Sequence, residues 1–188
     1  MNKKRPYEVT NHEEYPIGRF TIIKDTVRVN GEEFPYSYEI LDNCACVLPI
    51  IEHDVVLIYQ YRHCLNKWFY EIPSGGINDK ETPETAAKRE LLEETGYAAK
   101  NMIYLGEYPV SQGTSTAIAY LYVAICSEKT SQKLDATEMI AVERIPEYKF
   151  KEMIKKHEFD HMAGIVAWHL YQTYIEENKQ HEDKGCFF

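Results

Sequence analysis

Residues 75–97 read GGINDKETPETAAKRELLEETGY, and they contain the start signal, the stop signal and the charged face of one helix. Thr82 is a suitable N-cap, and Pro83 follows at the first helical position, where a missing N–H costs nothing. Gly96 stands where a helix commonly ends in a left-handed residue. The stretch therefore predicts a glycine-containing loop followed by a helix that begins at Pro83 and ends before Gly96.

Three carboxylates, those of Glu90, Glu93 and Glu94, are separated by three and four residues in this predicted helix and so lie on one side of it. Like charges at these spacings repel each other, and a hard divalent cation such as Mg²⁺ removes that repulsion. The same cation can hold a substrate phosphate and lower the pKa of a bound water. Taken alone, such a charge run is more often a solvated helix face than a metal site.

The fixed positions around these glutamates resemble the Nudix box: Gly75, Glu81, Arg89-Glu90-Leu91, Glu93-Glu94 and Gly96. This resemblance implies an α+β protein with the Nudix fold, an α/β/α sandwich around a mixed sheet. It also implies a Mg²⁺-dependent hydrolase, in which Mn²⁺ can substitute. The residues that it assigns to the metal are Ser74 (through its carbonyl), Glu90, Glu93 and Glu94. Arg89 is expected to orient the glutamates, and Arg89 and Glu93 count among the catalytic residues.

A second resemblance, carried by Gln60-Tyr61-Arg62 and by Trp68 to Gly76, is to ADP-ribose pyrophosphatases and related nucleoside-diphosphate-sugar hydrolases. It implies cleavage of the diphosphate of ADP-ribose or a related nucleotide sugar to a nucleoside monophosphate and a sugar phosphate. Arg62, Glu71 and Gly76 are the expected substrate-binding residues, although Arg62 could instead form a plain surface ion pair. The alternatives are GDP-mannose, another nucleotide sugar, FAD or coenzyme A. A further alternative is that the protein senses a nucleotide without catalysis, which the complete set of glutamates disfavours.

The catalytic base of such enzymes comes from a loop far downstream of the box. Glu138 in the stretch Asp135–Val142 is our candidate, and Glu143 is the rival. The chain departs from many ADP-ribose hydrolases after the box, because Gln112 replaces a proline and Ala117 stands near a missing acid. These departures leave the box unchanged but leave the identity of the sugar open.

The remaining pattern predicts strands before and after the box helix. Asn30-Gly31 is a strong turn signal inside a predicted hairpin over 19–40. Further strands are predicted at 44–50, 55–61, 69–72, 103–110, 117–126 and 138–145, with helices at 150–156 and after Asp160. We therefore expect a small N-terminal antiparallel β-sheet domain, residues 1–45, followed by the Nudix domain, residues 46–188. By resemblance, the N-terminal domain forms a homodimer.

Composition excludes several other classes of protein. The net charge of −9 argues against nucleic-acid binding and against binding to anionic membranes. The five cysteines are odd in number and irregularly spaced, and no apolar run follows the basic start, so we expect reduced thiols in the cytoplasm. His157–His161 fits the His-Glu-x-x-His pattern of zinc peptidases, but Asp160 as a helix cap would break the continuous helix that such a site needs.

Overall fold

The computed structural model describes residues 4–134 and 139–185. Within these residues it contains ten strands, three α-helices and a short 3₁₀ turn at His63–Leu65. The strands are β1 (Glu8–Ile17), β2 (Phe20–Val29), β3 (Glu32–Ile40), β4 (Cys44–Ile51), β5 (Asp54–Arg62), β6 (Lys67–Glu71), β7 (Ser74–Gly76), β8 (Tyr97–Pro109), β9 (Ile118–Lys129) and β10 (Ile140–Pro146). The helices are α1 (Pro83–Thr95), α2 (Glu147–Lys155) and α3 (Met162–Gly185).

The N-terminal sheet has three antiparallel strands in the order β1-β2-β3. Asn30 and Gly31 both have positive φ, 52° and 91°, as a tight hairpin turn requires, and this confirms the predicted hairpin. Strand β1 was not predicted. Its ten residues, EVTNHEEYPI, lack the apolar alternation that marks a half-buried strand, because most of them are exposed.

The second sheet has seven strands, and it is mixed. Its main order is β10-β5-β4-β9-β8, with β6 paired to β5 and β7 paired to β4. Strand β4 runs parallel to β9 but antiparallel to β5 and β7. The short strand β7 therefore lies beside β4 immediately before the loop that leads into α1.

The two faces of this sheet support separate hydrophobic cores, and β4 shows the alternation that produces them. Ala45 and Val47 belong to a cluster that contains Leu91 of α1. Leu48 belongs to the other cluster, which includes Phe150 of α2 and residues of α3. Helices thus cover both faces of a mixed sheet, which confirms the predicted α/β/α sandwich.

The chain divides into two compact units. One comprises the chain up to Asn43 together with Tyr108–Ile118, and the other comprises Cys44–Glu107 and the chain from Ala119 onward. The division at residue 45 stays a prediction. Among the described residues, no helix is both long enough and apolar enough to cross a membrane.

Candidate active site

The ends of α1 are fixed by the local signals read from the sequence. The Thr85 N–H donates to Thr82 Oγ1 at 3.2 Å, and Pro83 occupies the first turn. At the other end Gly96 has φ 75°, and its N–H donates to the Leu92 carbonyl at 2.9 Å. The predicted cap, first residue and stop of this helix are therefore confirmed.

The buried side of α1 carries carboxylates next to strand β7. Glu94 is only 2% exposed, and its Oε2 accepts the Ser74 N–H at 2.9 Å. Glu90 is 9% exposed and lies directly against Gly75, where a Cβ would come within 2.1 Å of Glu90 Oε1. Only glycine therefore lets the backbone of β7 approach the Glu90 carboxylate this closely.

Arg89 joins the carboxylates of the box to the loop. Its Nε and Nη2 each donate to Glu81 at 3.0 Å, and Nη2 also donates to the Gly76 carbonyl at 2.9 Å. Nη1 donates to Glu90 at 2.6 Å and to Glu93 at 3.1 Å. The hydrogen bonds that Arg89 donates to Glu81, together with those to Glu90 and Glu93, raise the pKa of its guanidinium. Arg89 in turn lowers the pKa of the Glu81 carboxyl. The guanidinium thus supplies the positive charge that lets these carboxylates lie close together.

These groups surround a polar cavity of about 440 Å³. Its lining brings together seven residues of the box region with one from a distant segment: Ser74, Gly75, Gly76, Asn78, Arg89, Glu90, Glu93 and Lys133. Glu94 lies beside this cavity, bonded to the Ser74 backbone. The structure therefore gathers the predicted metal-binding residues and Gly76 in one region.

The donor set fits Mg²⁺, which prefers carboxylate and carbonyl oxygens. Within residues 4–134 and 139–185, no three His, Cys, Asp or Glu side chains are already gathered as a metal cage. In this structure Arg89 Nη1 holds both Glu90 and Glu93.

A polar segment, residues 130–133, attaches to the C-terminal end of α1. The Thr130 N–H donates to the Gly96 carbonyl at 2.6 Å, and the Lys133 N–H donates to the Glu93 carbonyl at 2.9 Å. Gln132 Nε2 donates to the Glu94 carbonyl at 2.6 Å. These bonds satisfy carbonyls that a helix end leaves without partners. Sequence reasoning missed Lys133, because nothing in this stretch marks a contact to a helix some forty residues away.

Arg62 and Glu71, both predicted to bind substrate, bind each other. Arg62 Nε donates to Glu71 Oε1 at 2.9 Å, and Nη2 donates to Oε2 at 2.5 Å. The hydrogen bonds that Arg62 donates to Glu71 raise the pKa of its guanidinium. Neither residue lines the cavity described above. Their geometry is that of a bidentate ion pair, with one partner, Glu71, buried.

Only one of the two candidates for the catalytic base lies within the described residues. Glu138 lies outside the described residues. Glu143 is on β10, where its Oε1 accepts the Tyr70 hydroxyl at 3.0 Å, and it does not line the cavity. Burial, with the bond to Glu143, raises the pKa of Tyr70.

The two histidines of the zinc-peptidase pattern are not on one helix. α2 ends at Lys155, His157 has φ 57°, and α3 begins at Met162. His161 Nδ1 instead accepts the Ile72 N–H at 3.2 Å. Burial lowers the pKa of the His161 imidazole, while nearby Glu71 and Asp160 raise it and Arg62 lowers it further. The predicted break between the histidines is confirmed.

A family model and several known proteins match this chain. The family model described as NUDIX domain matches residues 41–169. The chain is 30% identical over 133 residues to the methanol dehydrogenase activator of Bacillus methanolicus, covering 70% of this chain and 71% of that protein. It is 34% identical over 95 residues to the ADP-ribose pyrophosphatase of Bacillus subtilis, covering 48% of this chain and 50% of that protein. It is 32% identical over 161 residues to the GDP-mannose pyrophosphatase of Enterobacter sp. (strain 638), covering 77% of this chain and 82% of that protein.

One solved structure, of an ADP compounds hydrolase, superposes with a TM-score of 0.82 and covers 95% of this chain and 98% of that chain. The sequence identity of that pair is 19%, so the likeness shows a shared fold. The superposition agrees with the fold class predicted from the sequence.

Proposed function

Because the chain belongs to the NUDIX domain family, we propose that it is a Mg²⁺-dependent pyrophosphohydrolase of nucleoside diphosphate sugars, with ADP-ribose as the leading substrate. The observation that carries this proposal is the cluster formed by Glu90, Glu93, Glu94 and Arg89 beside one polar cavity. Clustered carboxylates with an arginine among them suit a cation that in turn holds a diphosphate.

The reaction replaces one phosphoanhydride bond. A water oxygen attacks one phosphorus, the P–O–P bridge breaks, and the bridging oxygen leaves on the second phosphate; for ADP-ribose the products are AMP and ribose 5-phosphate. When bound, Mg²⁺ withdraws charge from the phosphates and lowers the pKa of a coordinated water. Glu90, Glu93 and Glu94, with the Ser74 carbonyl, would hold the metal, for which Mn²⁺ can substitute.

The protein's own groups have three further tasks. Glu138 is proposed to take the proton of the attacking water, with Glu143 as the rival base. Arg89 holds Glu90 and Glu93 in place through the hydrogen bonds of its Nη1. Arg62, fixed by Glu71, is proposed to bind the diphosphate or the sugar, and a pre-oriented planar guanidinium suits recognition of phosphate oxygens.

GDP-mannose is the second candidate substrate. The relative named GDP-mannose pyrophosphatase aligns over 161 residues, further than the relative named ADP-ribose pyrophosphatase. Gln112 and Ala117, the two departures from many ADP-ribose hydrolases, lie in one loop region after the box and are where we place the difference. FAD, coenzyme A and a purely nucleotide-sensing role rank below both.

The test is release of a nucleoside monophosphate from ADP-ribose, ADP-glucose, GDP-mannose, NADH and FAD, each with Mg²⁺ and with EDTA. Fast, EDTA-sensitive cleavage of ADP-ribose supports the leading proposal, and preference for GDP-mannose moves the assignment to the second. No turnover of any compound by folded protein, with nucleotide still bound, would favour the sensor.

We further propose that residues 1–45 are a dimerisation domain and that the enzyme works as a cytoplasmic homodimer. Phe34 and Ile40 share one face of the three-stranded sheet and are 46% and 43% exposed, an apolar surface that a second copy could cover. Free thiols at Cys44, Cys46, Cys64 and Cys126 suit a reducing compartment. Light scattering of the full chain tests the dimer, and a monomer at micromolar concentration contradicts it.

A further inference from the structure

We propose that Lys133 is a substrate-binding residue, whose ammonium group contacts the diphosphate while Glu90, Glu93 and Glu94 hold the metal. This inference rests on the proposed function and deepens it. Lys133 lies far from the box in sequence, and its place in the cavity lining is known only from the fold.

The first step concerns Arg89, the other cation in the cavity. A guanidinium has five N–H donors. The hydrogen bonds of Arg89 also number five, to Glu81 twice and to Glu90, Glu93 and the Gly76 carbonyl once each. Arg89 therefore has no donor left for a phosphate unless one of these bonds breaks.

The second step concerns the charge balance. A diphosphate brings its own negative charges into a cavity already lined by Glu90 and Glu93, and phosphate oxygens that do not face a metal need donors from the protein. Among the described residues, the ion pairs of Glu90 and Glu93 are formed with Arg89, and none is formed with Lys133. Of the two cationic residues in the lining, Lys133 is therefore the one that we assign to the phosphate.

The third step concerns anchoring. The backbone N–H of Lys133 donates to the carbonyl of Glu93, itself a predicted metal ligand, at 2.9 Å. Gln132 and Thr130 fix the same segment to the carbonyls of Glu94 and Gly96. The backbone of Lys133 is thus attached to the helix that carries the glutamates, while its flexible four-carbon side chain can adjust to the position of a ligand.

Arg62 does not take over this role within the cavity. Both its Nε and its Nη2 are bound by Glu71, and neither residue belongs to the lining. Arg62 and Lys133 are therefore assigned to different parts of the substrate.

The experiment uses the full-length protein and compares Lys133→Met, Lys133→Arg and Lys100→Met. Lys133→Met keeps the apolar stem and removes the charge, Lys133→Arg restores it, and Lys100, exposed on β8 outside the cavity, is the matched control. Binding of α,β-methylene ADP-ribose with Mg²⁺ is measured by calorimetry, and kcat and KM are measured on whichever compound of the panel wild type cleaves. Melting temperatures confirm that each variant is folded.

We expect Lys133→Met to weaken binding and raise KM about ten- to a hundredfold, the worth of one charge-assisted hydrogen bond, with kcat changed less than about threefold. Lys133→Arg should recover most of the affinity, and Lys100→Met should match wild type. Unchanged binding by a folded Lys133→Met variant, or a fall in kcat alone, would overturn the inference while the proposed function stands. Wild type that neither binds nor cleaves any of the compounds overturns both.

Discussion

Gly75→Ala tests the close approach of β7 to Glu90. The added Cβ would stand 2.1 Å from Glu90 Oε1, whereas ordinary van der Waals contact begins at 3.4 Å, so the carboxylate has to retreat by about 1.3 Å. A displacement of about 1 Å at a catalytic group can cost roughly a hundredfold in rate. We therefore expect Mg²⁺-dependent turnover to fall about a hundredfold.

The same displacement also affects stability. Moving Glu90 breaks its 2.6 Å bond to Arg89, and a charge-assisted hydrogen bond is worth about 1.5–3 kcal/mol. The alanine also restricts the unfolded chain, which stabilises the folded protein by about 0.4–1 kcal/mol. The net effect on a protein of this size is a fall in melting temperature of roughly 1–10 °C. Gly76→Ala is the steric control, because a Cβ there meets no atom within 4 Å, and its melting temperature should not fall.

A double-mutant cycle assigns the effect to Glu90. In a Glu90→Ala background the carboxylate that the Cβ meets is gone, so adding Gly75→Ala should lower neither turnover nor melting temperature further. Steady-state kinetics and thermal unfolding of the four proteins complete the cycle. A Gly75→Ala variant with turnover within threefold of wild type would refute the reasoning, and so would an undiminished effect in the Glu90→Ala background.

Three further outcomes are expected. Glu94→Gln keeps an acceptor for the Ser74 N–H, so melting should shift by less than about 2 °C while turnover falls by about two orders of magnitude or more; near-normal kinetics would contradict the metal role. Arg89→Lys keeps the charge but not the five donors, so kinetics should show a loss of roughly ten- to a hundredfold, and an equal kcat/KM would contradict the orienting role. Burial lowers the pKa of His161, so the unfolded chain binds the proton more readily below pH 6.5. The free energy of unfolding from denaturant titrations should therefore fall as pH drops from 6.5 toward the lowered folded value, by at most about 1.4 kcal/mol per pH unit. His161→Asn, which keeps an acceptor for the Ile72 N–H, should flatten that slope, and an equal slope in both proteins would exclude His161 as its source.

Features set by neighbouring residues could be predicted from the sequence. Thr82, Pro83 and Gly96 fix the ends of α1 through bonds within a few residues, and capping follows from residue type. The alternation of Ala45 and Val47 with Leu48 is likewise local, although the helices that cover each face are not. These signals sufficed for the fold class and for the helix that carries the glutamates.

Features formed between distant segments could not be predicted. The bond from Gln132 to the Glu94 carbonyl joins residues 38 apart, and no composition signal accompanies it. The pairing of Arg62 with Glu71 depends on the register between β5 and β6, in which Arg62 lies opposite Lys67. Strand β1 is held by pairing with β2 rather than by its own apolar pattern.

The bonds from Arg89 to Glu81, Glu90 and Glu93 have a consequence for how the enzyme is made in the cell. Many metalloproteins need their ion before the chain can collapse, because their ligands repel one another until the ion arrives. Here an internal guanidinium already serves as counter-ion to those carboxylates. We therefore expect this chain to reach its folded state without a bound cation, so that its assembly does not depend on metal supply.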